Sequence, residues 1–110
     1  MQFAAACSAS TGWKVRVDFH PAATEELETS ADWYAQRGLD AVRGFVMEVD
    51  AALKKIESEP ARFPHIDQRH QACGIGRYPF QIVFRNDGDK IYVVAVAYAK
   101  RRPKYWRDRG

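Results

Sequence analysis

Cations and aromatic rings crowd the end of this sequence. Tyr98, Lys100, Arg101, Arg102, Lys104, Tyr105 and Trp106 follow one another closely, and Arg107 and Arg109 come just after, with Asp108 as the only acid nearby. Guanidinium and ammonium groups attract phosphates or carboxylates, while interleaved rings stack on bases or anchor a peptide. Without the rings, the same run would read as a solvated charged tail. The residues Tyr98, Lys100, Arg101, Arg102, Lys104, Tyr105 and Trp106 are therefore the candidate partner-binding surface. RNA cleavage through the 2′-hydroxyl needs a base, an acid and cations for the phosphate. Arg77, Arg85, Arg101, Tyr98 and Tyr105 are groups of that kind on or just beyond the last apolar segments.

Other constellations read as structural. His65, Asp67, His70 and Cys73 resemble a metal set in composition, but their spacing matches no strong zinc signature, and polar loop residues are the simpler reading. Neither a metal nor a cofactor is expected. Asp18 and His20 could pair as orienter and base on one strand face. His20 stands directly before a helix start, however, where capping is the better account. Trp33 and Tyr34, with Phe45, could line a partner groove, but core packing against a sheet is the reading preferred here.

The elements that must position these residues are visible in the spacing. Val15, Val17 and Phe19 alternate with polar residues, which predicts a half-buried strand ending near His20. Pro21 suits a first helical turn. Ala23, Leu27, Ala31 and Tyr34 recur on one face, so a helix is expected over Ala22 to Arg37, stopped at Gly38. Val42, Phe45, Val49, Leu53 and Ile56 hold steps of three and four to a second helix end near Ser58, before Pro60. Two amphipathic helices on a short connection form an antiparallel hairpin. Residues Ala61 to Gln71 keep no period and read as a crossing loop.

Three strands follow, over Ala72 to Tyr78, Phe80 to Arg85 and Lys90 to Lys100. The last two are joined by turn chemistry at Asn86-Asp87-Gly88-Asp89. Pro79 lacks a ladder donor and predicts a bulge or kink between Tyr78 and Phe80. Ile91 to Ala99 is almost unbroken apolar, as in a central strand covered on both faces. The fold class is α+β in the order β-α-α-β-β-β, a mostly antiparallel sheet with a helical hairpin on one face and the other face partly open.

Length and composition set the frame. With 110 residues the chain supports one domain, and 46 % hydrophobic against 28 % charged residues excludes a disordered or collagen-like chain. The formal charge of +3 is modest and gathers at the C-terminal end. Two cysteines, Cys7 and Cys73, are too few for a disulfide framework and favour a reducing cytosol. No apolar run approaches the roughly 18 residues of a membrane span. Residues 1–13 read as a flexible leader or a mis-assigned start, and 14–110 as one domain.

In this order and at this length, four segments resemble the RelE/ParE superfamily of bacterial type II toxin-antitoxin toxins. They are the Phe19-His20-Pro21-Ala22-Ala23 opening with Glu26-Leu27, the Ala31-Asp32-Trp33-Tyr34 helix end, Tyr78-Pro79-Phe80-Gln81-Ile82-Val83-Phe84, and the stretch from Val94 to Trp106 containing Lys100-Arg101-Arg102-Pro103. The resemblance implies a small cytoplasmic growth inhibitor held inactive by a cognate antitoxin with an acidic C-terminal segment. It implies no membrane and no small-molecule substrate.

RelE-like members cut ribosome-bound mRNA and ParE-like members poison DNA gyrase. A nuclease of this kind would use Arg101 and Tyr105, with Arg77, as catalytic residues. Gln81 stands where the RelE-like nucleases resemble one another in carrying an arginine. Their paired lysines have no counterpart in Ala72-Cys73-Gly74-Ile75-Gly76, and a terminal His-Tyr pair is missing. A ParE-like pattern fits better, although its frequent histidine before the Arg-Arg-x-Pro stretch is Tyr98 here. The expectation is a gyrase-directed, non-enzymatic toxin. The alternatives are an mRNA endoribonuclease and a non-catalytic antitoxin-binding module that regulates its own operon.

Overall fold

The computed structural model describes residues 16–100 and 104–109. The expected leader over residues 1–13 lies outside them. Strand β1 (Arg16–Phe19) buries Val17 and ends where Pro21 turns the chain into helix α1 (Pro21–Ala35). His20 is the hinge of that change. Its backbone N–H still donates to the Val93 carbonyl at 2.9 Å, while its Nδ1 accepts from the Ala22 amide at 3.0 Å and caps the helix. Asp18 pairs instead with Arg16 at 3.1 Å and with Lys90 at 3.9 Å, so no Asp18–His20 pair forms.

Helix α1 buries Ala23, Leu27 and Ala31, one residue per turn. Gly38, at φ 138° and ψ 161°, reverses the chain into α2 (Leu39–Ser58). That helix buries Val42, Phe45, Val49, Ala52, Leu53 and Ile56, the stripe expected from the spacing. A single 3-10 turn at Pro60–Arg62 opens the crossing segment. The Gln71 amide ties that segment down by donating to the carbonyls of Pro60 at 2.7 Å and Phe63 at 3.0 Å.

The sheet adds β2 (Gln71–Gly74), β3 (Phe80–Asn86) and β4 (Lys90–Tyr98) in the spatial order β1-β4-β3-β2. β1 runs parallel to β4, and the other two pairings are antiparallel. One expectation changes. β2 stops at Gly74 rather than Tyr78, because Ile75 to Pro79 turn back on the helical layer, with the Tyr78 amide donating to the Ile75 carbonyl at 2.9 Å. Tyr78 packs edge-on against Phe45 and Tyr34, at 5.4 and 5.3 Å between centroids. The kink expected at Pro79 is present, while the bulge of the sheet is elsewhere. Pro79 sits in the bend before β3, where its carbonyl accepts from the Ala99 amide at 2.8 Å and prolongs the ladder. The register slips between Val83 and Phe84, leaving Val94 as the extra residue on β4.

β4 is sandwiched. Ile91, Val93 and Val96 belong to the main core with the two helices, whereas Val94, Ala95 and Ala97 join Val83 and Trp106 in a second, smaller core. The face away from the helices is partly open, as expected: Trp106 and Tyr105 from the C-terminal segment and Ile66 from the crossing loop cover it around Val83, Val94, Ala95 and Ala97, while Gln81 of the same face stays exposed.

Candidate functional site

The C-terminal residues do not form one exposed surface. Tyr98 and Lys100 are exposed at the end of β4, and Lys104 is exposed with a positive φ of 58°. Arg101 and Arg102 lie outside the described residues. Trp106 overturns the surface reading, since it is 3 % exposed and its ring lies 4.7 Å from the buried His70 ring. An indole buried that far is an anchor of the fold. Tyr105 is half-buried, and its hydroxyl donates to Glu26 Oε2 at 2.7 Å.

Of the cleavage candidates, the structure brings Tyr98 and Tyr105 together beside α1, while Arg77 and Arg85 sit apart from them in the turn after β2 and on β3. Arg77 is exposed in the turn after β2, whose Gly76 lies against Glu48 of α2. Tyr105 is held to α1, and Arg101 is outside the described residues. Arg85 is gripped by Asp87, with contacts of 3.0 and 3.2 Å, and lies 5.1 Å above the Tyr92 ring. The sheet face beneath the C-terminal segment is an apolar contact of Val83, Val94, Ala95 and Ala97 with Trp106.

Sequence reasoning missed the residue that organises this end. Glu26 Oε1 accepts from the Val96 amide at 3.0 Å and pairs with Arg109 at 3.1 Å. Arg109 also donates to the Val94 carbonyl at 3.3 Å. Glu26 and Tyr105 stand 79 positions apart, so no local pattern signals the contact.

A groove opens beside α1. One lobe, of about 420 Å³, is lined by Thr29, Ser30, Trp33, Tyr34, Pro79, Phe80 and Tyr98. An adjoining lobe of about 300 Å³ reaches Glu25, Glu26 and Tyr105. Trp33, 48 % exposed, is thus groove lining rather than core, with the Arg37 guanidinium 3.4 Å from its ring. Tyr34 does pack inward, stacked on Phe45 at 4.8 Å. Burial, and then the neighbouring hydroxyls of Tyr78 and Tyr98, push the Tyr34 phenol above its ordinary value.

In the crossing loop, Asp67 and His70 face each other at 3.0 Å. Burial alone would raise the Asp67 carboxyl, but the Arg69 amide, the His70 ring and the His70 amide outweigh it and hold the group below its usual value. Cys73 is buried in the main core, and that burial raises its thiol. Among the described residues no three His, Cys, Asp or Glu converge on a metal position, and no helix is long and apolar enough to cross a membrane.

No curated protein matches the sequence. Among solved structures, the fold resembles a chain from "Chromosomal ParDE TA system from P. aeruginosa", with a TM-score of 0.61 at 19 % identity, covering 79 % of this chain and 98 % of that one. The sequence itself matches the family described as "ParE toxin of type II toxin-antitoxin system, parDE" over residues 17–103. That span takes in both helices and the sheet from Val17 onward, and on it the chain belongs to the ParE toxin family of type II toxin-antitoxin systems.

Proposed function

We propose that this toxin arrests growth by binding DNA gyrase, without cutting RNA, and that a cognate antitoxin neutralises it. The observation that carries the reading is the apolar contact under the C-terminal segment, where Trp106 meets Val83, Val94, Ala95 and Ala97. Cleavage needs cations and a proton-transfer group converging on one phosphate. Tyr105 is committed to Glu26, Arg85 to Asp87, and Arg77 stands in the turn beside α2. The surface left for a target is the exposed basic rim of Lys100, Lys104 and Arg107, continued in sequence by Arg101 and Arg102.

The antitoxin reading rests on the groove. Its Trp33, Phe80 and Tyr98 lining suits the apolar side chains of a segment that orders on binding. An acidic stretch of the same partner would reach the basic rim and mask it.

Cell-free translation with purified toxin, reading both protein yield and message 5′ ends, is the first test. The expected result is undisturbed translation, followed by loss of gyrase supercoiling activity when toxin is added. New 5′ ends within codons would overturn the gyrase reading in favour of a ribosome-dependent endoribonuclease, with Arg101 and Tyr105 the first residues to mutate.

A further inference from the structure

β1 pairs with β4 only as far as Phe19 opposite Val93, because Pro21 sends the chain into α1. Beyond Val93 the same edge of β4 has no strand beside it among the described residues. An open edge exposes amides and carbonyls that attract foreign strands. Here two of those polar groups are met by side chains. Glu26 Oε1 accepts from the Val96 amide at 3.0 Å, and Arg109 donates to the carbonyl of Val94, the bulged residue, at 3.3 Å. The two side chains pair with each other at 3.1 Å, the second Glu26 oxygen accepts from Tyr105 at 2.7 Å, and the Arg109 guanidinium lies 5.0 Å from the Tyr105 ring. Their side chains are only 13 % and 18 % exposed, so these charge-assisted contacts are shielded from bulk water.

We infer that Glu26 is a positioning residue for toxicity. One carboxylate from α1 closes the open edge of β4 and, through Tyr105 and Arg109, fixes the C-terminal segment in the orientation that presents Lys104 and Arg107 to the toxin's target. The inference rests on the reading that this basic segment is the inhibitory contact, and it does not depend on which macromolecule is inhibited. The geometry explains why the segment is held from the helix side. Trp106 holds the segment by packing on the sheet and on His70, and the Glu26 contacts to Tyr105 and Arg109 add a tie on the α1 side.

The test compares Glu26→Ala, Tyr105→Phe and Arg109→Gln in the full chain. It reads hydrogen exchange at the Val96 amide, tryptic cleavage after Lys104 and Arg107, urea stability, and growth inhibition at matched soluble protein level. Tyr105→Phe removes a single hydroxyl and keeps the ring, so it stays interpretable if Glu26→Ala fails to fold. Expected are Val96 exchange and C-terminal cleavage about tenfold faster in Glu26→Ala, a smaller rise in the other two, and growth inhibition falling in the same order while main-core amides stay protected. Wild-type protection of the segment in Glu26→Ala and Tyr105→Phe would overturn the inference. So would a loosened segment with undiminished growth inhibition, since Glu26 would then be structural only. Wild-type toxin that arrests growth but leaves supercoiling intact defeats the gyrase reading alone, and the variant series still decides the role of Glu26.

Discussion

Asp67 serves three donors, the Arg69 amide at 2.8 Å, the His70 amide at 2.7 Å and the His70 ring at 3.0 Å. A carboxylate only accepts, so the ring nitrogen facing it, Nδ1, carries a proton. Nε2 is buried with no hydrogen-bond partner among the described residues. The loop therefore depends on one ionised carboxylate to orient the ring that supports Trp106. The folded protein holds the Asp67 carboxyl below its ordinary value of about 4, so its contribution is complete above that value and is lost as pH falls through the lower, folded one. Asp67→Asn keeps an oxygen for the two amides and removes the charge. Urea unfolding from about pH 7 to about pH 2 should show the variant less stable at neutral pH and level with wild type at the acid end. A gap constant with pH would mean that the charge contributes nothing.

The helical hairpin turns on Gly38, whose φ of 138° with ψ of 161° lies in a region nearly closed to other residues. An added Cβ would meet nothing within 4 Å, so the penalty of Gly38→Ala is backbone strain alone. It should cost about 1–3 kcal/mol in urea unfolding. Gly74→Ala, in β2 and also in open space, is the control expected to stay near wild type.

These elements were readable because each is periodic. Six buried positions of α2 recur at steps of three and four, and the Asn86 to Asp89 turn carries its own chemistry. The β2 end was not readable. Ile75 and Tyr78 have strand-like side chains, yet they reach the core by folding back on α2 and α1. Nor was the bulge, since a strand apolar on both faces has no alternation for a slipped register to interrupt. At the site, the exposed cations were legible, whereas the ties of Glu26 to Tyr105 and of Trp106 to His70 are tertiary contacts. Trp106 stands in sequence among the exposed charges Lys104, Arg107 and Asp108.

Seen whole, the molecule has three layers. The two helices cover one sheet face, and on the other a single indole with Tyr105 and Ile66 closes over Val83, Val94, Ala95 and Ala97. A thin layer of this kind has little redundancy, since Trp106 is the one buried apolar side chain it contributes among the described residues. Trp106→Ala should therefore destabilise by about 3–5 kcal/mol, in the range for large aromatics removed from cores. That loss is a large part of the total stability of a domain this size.

Trp33 has the same chemistry in the opposite setting. It is 48 % exposed in the groove, and Trp33→Ala should change unfolding stability by less than about 1 kcal/mol while weakening antitoxin binding. Urea unfolding of the two variants, with binding of a hydrophobic dye to report an uncovered sheet face, separates the roles. If Trp106→Ala proved as stable as wild type, the second core would be a surface contact, the face beneath it would be open to a substrate, and the main structural argument against RNA cleavage would fall with it.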